Sequence, residues 1–392
     1  MARLIIVSFI FAIFPISLAS AEPAVTSPNS LPETKTFIKA PLKIAYVEAG
    51  PYHDYKMNLI GLASALEKLG LIENGHPPDS DSETAKSIWD WLSRKAGGHN
   101  LIFRADNFYS AQWDESKLID LKREILAKAE ANEINLILAF GTSAGKLLAT
   151  SDHQTPVLSI TATDPVAAGI SKTPERSGLD HVHVQVPIGQ IERQLSIFHN
   201  VFGFKTLGVP YDTTAAGMST MGVSTIERMS QELGFKIVPC QTELEISDSE
   251  QAFANLVGCL KRLSLESEAI YLTVSNGMID RRMPEILAPM VARGLPTFSQ
   301  RGPVETKLGI LMSLAENNFM SSGQFEAEVI YEILNGRSPG DINQIYVPPL
   351  TMALNIKMAM AIGWNPPLKV LAAVDELYTT MAVNSSKGSS LE

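Results

Sequence analysis

Short apolar runs alternating with helix-spaced apolar residues, in two successive series, set the tightest limit on what this chain can fold into. Residues 42–47 form a mostly apolar run. Tyr55, Leu59, Leu62, Leu66 and Leu69 then fall four, three, four and three apart, one face of a helix that Gly70 ends. Leu101-Ile102-Phe103 reads as a second strand, and Leu118, Leu121 and Ile125 mark a second helix. Residues 136–140 are a fully apolar strand followed at once by helix-forming 144–149, and 157–161 a fourth strand. After residue 186 the alternation restarts. Ile188, Ile191, Leu195 and Phe198 share a helix face, strands are expected at 206–209, 235–238, 269–272 and 297–298, and helices lie between them. Apolar strands separated by helices belong to parallel sheets covered on both faces. The expectation is therefore an α/β fold with two doubly wound parallel-sheet lobes.

The N-terminus carries a different signal. Arg3 precedes a largely apolar run over 4–18, interrupted by Pro15, and Ala19-Ser20-Ala21 supplies a small-x-small site. This reads as a secretory signal peptide cleaved after Ala21, since the run is short for a membrane span. No cysteine stands near the site for lipid attachment, so a periplasmic, unanchored mature chain is expected. Residues 22–40, rich in Pro, Ser and Thr, read as a flexible leader, and 381–392 as a flexible tail. Net charge is −10 for the whole chain. That balance repels phosphate backbones and anionic lipid, which argues against a nucleic-acid partner. The length after cleavage, about 370 residues, points to two domains.

Cys240 and Cys259 are the two cysteines. Cys240 ends an expected strand and Cys259 sits late on the next helix. A helix returning along its strand carries Cys259 towards the far end, so no disulfide is expected. The stretch 74–100, with Trp89 and Trp91, links the end of a helix to the start of a strand. It is placed at the edge away from the ligand-binding ends, its tryptophans in packing roles. His181 and His183 alternate on a strand-like stretch and read as a solvated face. No metal cluster or cofactor fingerprint is found, and none is expected to bind.

Gly141-Thr142-Ser143-Ala144-Gly145 occupies a strand-to-helix turn and matches the G-x-S-x-G nucleophile elbow. A hydrolase built on that elbow needs a histidine after the last strands, and none follows His199. Lys146 does not make a P-loop, because only three residues separate the glycines and Leu147 follows it. A third reading needs no chemistry: small residues at a helix start let backbone N–H groups approach an anionic ligand group, with Thr142 and Ser143 adding hydroxyls. The other strand-end loops should converge on the same crevice. They offer Glu48, Tyr52, Tyr109, Thr163 and Asp164 in the first series, then Tyr211, Asp212, Ser275, Asn276 and Gln300 in the second.

Several segments resemble a known family. They are Leu136-Ile137-Leu138-Ala139-Phe140-Gly141-Thr142-Ser143-Ala144, Thr163-Asp164-Pro165-Val166-Ala167-Ala168-Gly169, Leu207-Gly208-Val209-Pro210-Tyr211 and Ala353-Leu354-Asn355-Ile356-Lys357. They look like the ABC-transporter substrate-binding proteins of the tryptophan/tyrosine-binding type. The resemblance implies a type I periplasmic binding fold with three crossovers, placed near 183–187, 306–314 and 338–347. Lobe 1 then comprises 41–185 with 310–340, and lobe 2 comprises 186–309 with 341–380. It implies a monomer that captures an amino-acid-like or aromatic ligand and delivers it to a membrane permease. The chain departs from the pattern at Ser275 beside Asn276 and at Phe298-Ser299-Gln300, where relatives often carry acids suited to an ammonium group. Glu48, Asp164, Asp212 and Glu316 are the candidate substitutes. A periplasmic sensor, and a serine hydrolase using Ser143, stand as the alternative functions.

Overall fold

The computed structural model describes residues 40–78 and 83–381. The expected signal peptide, nearly all of the leader and all but the first residue of the tail lie outside them. The strands, in chain order, are β1 (Leu42–Glu48), β2 (Leu101–Ser110), β3 (Leu136–Phe140), β4 (Val157–Ile160), β5 (Val182–Val184), β6 (Val186–Pro187) and β7 (Thr206–Tyr211). There follow β8 (Lys236–Gln241), β9 (Ala269–Leu272), β10 (Thr297–Ser299), β11 (Met312–Ala315), β12 (Ile345–Tyr346), β13 (Thr351–Asn355) and β14 (Glu376–Tyr378).

One sheet has the order β2-β1-β3-β4-β5 and is parallel throughout. Its β1 shows why both faces are apolar. Leu42, Ile44 and Tyr46 point into a core formed with helices His53–Lys68 and Met320–Leu334, while Ala45 and Val47 point into a second core on the opposite face. The other sheet runs β14-β13-β11-β10-β9-β7-β8, with β13 antiparallel to β11. These are the two lobes, α/β and doubly wound. Helix Ala85–Lys95, from the 74–100 stretch, packs against β2 beneath a Thr84/Ser87 capping box. Trp89 is fully buried there and donates its indole N–H to the Arg104 carbonyl at 2.8 Å.

The chain passes between lobes at β5–β6, again between Ala315 and Met320, and a third time along β12, which pairs with β6. The second passage corrects the expectation of 306–314. The four-residue strand β11 carries Ser313 in its middle and gives no long apolar run, yet it sits fully buried in the second sheet. The chain therefore leaves lobe 2 after Ala315.

Two further expectations are overturned. Cys240 and Cys259 form a disulfide, their Cα atoms 5.7 Å apart. Loop 242–248 carries the start of helix Ser249–Glu266 past the strand end. Ten residues of helix, about 15 Å at the usual rise, then bring Cys259 back level with Cys240. His181 and His183 are buried, not solvated: His181 packs on the His153 ring beside the Thr150 carbonyl, and His183, on edge strand β5, is covered by Phe325 and Glu326 of helix Met320–Leu334 and by Asn343.

Candidate functional site

A cavity of about 340 Å3 lies where the C-terminal strand ends of both sheets face each other, bordered also by the crossover segments. Helix Gly141–Leu148 opens onto it directly from β3, with no intervening loop. Gly141 permits this junction. Its φ is +84°, and a Cβ there would lie 2.0 Å from the Tyr55 hydroxyl oxygen. The Gly141 N–H donates to the Thr161 hydroxyl at 3.1 Å. Thr142 and Ser143 follow in the first turn, where backbone N–H groups have no intrahelical partner. The Thr142 hydroxyl is buried and has no hydrogen-bond partner among the described residues.

Aromatic surface stands beside this helix start. Tyr52 and Tyr55 meet at 5.3 Å between ring centroids. Trp113 follows β2 in a left-handed backbone conformation (φ 62°), and its N–H donates to the Ala49 carbonyl at 2.7 Å. Its indole lies over Gly50, where any Cβ would fall 2.3 Å from the ring.

From the second lobe, Arg301 reaches the rim. Its Nε is 3.3 Å from the Asp54 carboxylate of lobe 1, and its Nη1 is 3.7 Å from Glu305 and 3.8 Å from Asp280. The guanidinium also sits 5.2 Å from the Tyr52 ring centroid. Burial opposes the charge on Arg301, but Tyr52 and the three acids hold its pKa above the ordinary value. Burial pushes Glu305 up to about 7 against the pull of Arg301. The lobes meet again where Ser224 donates its hydroxyl to the Asp164 carboxylate at 3.1 Å, and Ser219 donates to the Asp164 carbonyl at 3.2 Å.

Of the residues expected from sequence, Tyr52, Thr142, Ser143, Thr163, Asp164, Ser275, Asn276, Gln300 and Glu316 border the cavity. Several of these have their polar groups engaged within the protein. The Gln300 side chain accepts from the Val274 N–H and donates to the Met221 carbonyl. Ser275 accepts from the Gly277 N–H, and Asn276 donates to the Ile246 carbonyl. The Glu316 carboxylate accepts from the Tyr346 hydroxyl at 2.7 Å and the Ser322 N–H at 3.1 Å, while Ser322 takes a bond from Gln185 at 2.8 Å. Glu316 thus ties the three crossovers together; burial raises its pKa.

Four expected residues do not border the cavity. Glu48, the last residue of β1, points to the same sheet face as Tyr46, two residues earlier, and accepts its hydroxyl at 2.7 Å. Tyr109 lies inside β2, which continues to Ser110 and not merely to Phe103. Its ring is buried in the core with the Lys128 ammonium over its face. Tyr211 borders a separate depression on lobe 2 with Val223 and Ile226. Asp212 is a buried clamp, accepting from Thr214, Leu244 and Glu245 N–H groups at 2.8 to 2.9 Å. Burial opposes its charge, yet these bonds hold its pKa low.

Sequence reasoning left out Tyr55, Gln185 and Glu245, which border the cavity, as does Arg301 in the strand-end loop with Gln300. In the sequence Tyr55 reads only as a helix-face residue. Glu245 follows β8 in a loop with no signal of its own. Among the described residues no histidine borders the cavity, no cluster could hold a metal ion, and no helix is long and apolar enough to cross a membrane.

Comparisons with known proteins agree with this architecture. The tyrosine-binding protein of Clostridioides difficile (strain R20291) is 23% identical over 237 residues, 60% of this chain; the chain spans 64% of that relative's length. A conserved domain protein from Vibrio cholerae shares the fold with a TM-score of 0.66 at 18% identity, over 86% of this chain and 99% of the other. An ABC domain from Streptococcus pneumonia, solved in complex with L-Trp, does so with a TM-score of 0.63 at 16% identity, over 86% and 100%. The fold is that of the type I periplasmic binding proteins. A family profile described as ABC transporter substrate binding protein matches residues 95–377, most of the chain. The chain belongs to that family of substrate-binding proteins.

Proposed function

We propose that this protein is the exported capture component of an ABC importer, and that its cavity holds a small carboxylate-bearing ligand with a flat, amino-acid-like or aromatic body. The observation that carries the reading is the start of helix Gly141–Leu148. There a buried, unpartnered Thr142 hydroxyl and Ser143 open into a cavity beside Tyr52, Tyr55 and Trp113. First-turn N–H groups and the helix dipole favour an anionic group, and the rings offer surface for stacking. The tyrosine-binding relative supports a ligand of this size and kind.

Binding without turnover fits the same site. Ser143 sits at an elbow-like turn, but a nucleophilic serine needs a neighbouring base, and no described histidine borders the cavity. Asp54–Arg301 and Asp164–Ser224 join the two lobes at the cavity's edge, as expected of lobes that close over a ligand and present it to a permease. The mature chain is taken to be a periplasmic monomer, free of lipid.

The test is a melting-temperature screen with aromatic amino acids and benzoate-like acids, each beside its methyl ester or primary amide. At roughly a hundredfold excess over Kd a true ligand adds about 2.7 kcal/mol of stability. The acids should raise the melting temperature and the neutral derivatives should not; equal binding by ester and acid would reject the helix-start site. Disruption of the cognate permease should abolish uptake of the same compound.

A further inference from the structure

Where the crossovers leave lobe 1, three fully buried residues hold polar atoms without a hydrogen-bond partner among the described residues. These are the Nδ1 of His183, both carboxyl oxygens of Glu326 and both amide heteroatoms of Gln344. Each residue belongs to a different crossover. His183 lies on β5, which leads into the first. Glu326 lies on helix Met320–Leu334, which follows the second, and Gln344 opens the third, its carbonyl accepting from the Val186 N–H. Ser322 and Glu326 are one turn apart on the helix and face Gln185 and His183, two positions apart in the chain. Ser322 takes the Gln185 bond, and Glu326 Oε2 stands 3.9 Å from His183 Nδ1. The β6–β12 register sets Gln344 beside Gln185.

One bond fixes where the imidazole proton sits. His183 Nε2 is 3.0 Å from the carbonyl of Asn343, the residue before Gln344. A carbonyl only accepts, so Nε2 donates and Nδ1 turns a lone pair towards Glu326. The gap to Oε2 is about 1 Å beyond hydrogen-bond length, and a small turn of the carboxyl group closes it. A protonated Glu326 can then donate to Nδ1, whereas an ionised one sets a carboxylate against a lone pair. Among the described residues no lysine or arginine forms an ion pair with Glu326. The titratable groups around it are His183, Tyr346, whose ring packs on the neighbouring Phe325, and Glu316, which accepts the Tyr346 hydroxyl. Burial alone raises Glu326 well above the ordinary carboxyl range, and burial lowers His183 to about 4 against the pull of the Asn343 bond.

We propose that Glu326, His183 and Asn343 form a proton-dependent latch on the hinge. The Glu326 O–H donates to His183 Nδ1, the His183 Nε2–H donates to the Asn343 carbonyl, and this neutral relay ties the root of the third crossover to the strand and helix of the other two. When Glu326 gives its proton to hydroxide, the relay breaks at its first bond. The third crossover is then freed, and the lobes sample a wider range of separations. None of the three residues borders the cavity, so the latch acts on lobe movement whatever the ligand.

The experiment is pulsed electron paramagnetic resonance on the whole secreted protein without ligand. Spin labels enter through Asp120→Cys on lobe 1 and Arg281→Cys on lobe 2, both exposed, with the native disulfide intact. One inter-lobe distance should dominate at pH 6. The fraction outside it should grow towards pH 9.5, by at most about tenfold per pH unit for a single proton. Glu326→Gln, whose amide N–H donates to Nδ1 and has no proton to lose, should keep the pH 6 distribution throughout. Glu326→Leu should give the wide distribution at every pH. Circular dichroism confirms that each variant is folded. Nitrogen-15 NMR of histidine-labelled protein is the second readout. At pH 6 His183 should carry its proton on Nε2 with Nδ1 shifted as a hydrogen-bond acceptor, and that shift should vanish with rising pH in wild type but not in Glu326→Gln. Distances that ignore pH, or that respond equally in Glu326→Gln, overturn the latch. So does a proton on Nδ1, or a Glu326→Leu variant that keeps the narrow distribution.

Discussion

Arg301 of the second lobe holds its Nε 3.3 Å from the Asp54 carboxylate of the first, beneath the rim of the cavity. Both side chains are largely buried, and the guanidinium also faces the Tyr52 ring. This contact exists only while the lobes are together, because each partner belongs to a different sheet's strand-end loops. It therefore adds to the closed arrangement and not to the stability of either lobe.

Asp54→Asn should weaken ligand binding about tenfold, the effect of losing one charge-assisted bond. Arg301 keeps Asp280 and Glu305 within 3.8 Å, so the variant strands no buried charge and the ligand-free melting temperature should scarcely move. Small-angle scattering with saturating ligand should show a larger fraction of open molecules. An unchanged Kd would mean that the pair is incidental to closure.

The central strands were legible because both faces of the sheet are covered there, which makes their sequences apolar almost without interruption. Leu136 to Phe140 is buried at every position. β11 escaped because four residues with a central serine look like loop. The cavity residues were legible as far as strand-end loops identify them, and this worked for Thr142, Ser143, Thr163 and Asn276. It failed where direction mattered. Glu48 and Tyr211 each close a strand, and Tyr109 is one residue from the end of its own. Pleat alternation turns each away from the cleft, and a strand's true last residue sets that alternation. Arg301 gains its meaning from a residue of the opposite lobe, Asp54. No local pattern in either segment encodes such a pairing.

Gly141→Ala should abolish binding and destabilise the fold. The new Cβ would sit 2.0 Å from the Tyr55 hydroxyl oxygen on a backbone with φ +84°. Together the strained backbone and the overpacking should cost about 2–4 kcal/mol in urea denaturation. Relief of the clash moves either Tyr55 or the helix start, and both belong to the proposed site. Retained affinity in a folded variant would remove the helix start from the binding argument.

The Cys240–Cys259 disulfide spans 19 positions of sequence. Closing a loop of that size in the unfolded chain should contribute about 3 kcal/mol. The Cys240→Ser, Cys259→Ser double variant should lose about that much in guanidinium denaturation. In the unfolded, unreduced wild type neither cysteine should react with a thiol reagent until reductant is added. Labelling before reduction would show that the bond does not form in the protein as produced.

A buried pair behind the cavity should give the protein two opposing responses to acid. His183 on β5 and Glu326 on helix Met320–Leu334 are both fully buried, with Nδ1 and Oε2 3.9 Å apart. The His183 Nε2 lies 3.0 Å from the Asn343 carbonyl. A carbonyl only accepts, so Nε2 carries the proton and Nδ1 is bare in the neutral ring. Burial lowers the His183 pKa to about 4, although the Asn343 bond opposes that, and burial alone raises Glu326 well above its ordinary range. The signs follow from proton counts. Between pH 6.5 and 4 the unfolded chain protonates His183 while the folded chain does not, so stability falls as pH falls, by about 3 kcal/mol over the window. For Glu326 the folded chain holds a proton that the unfolded chain has released above its ordinary pKa of 4.5, so its contribution rises as pH falls towards that value. In wild type the two act in opposite directions as pH falls from 6.5 towards 4.5. Glu326→Gln should therefore make the protein more acid-sensitive than wild type, and His183→Gln less so. Urea denaturation of the three proteins at pH 7, 6, 5 and 4.5 checks this: slopes against pH that coincide would show that the pair does not titrate as its burial dictates.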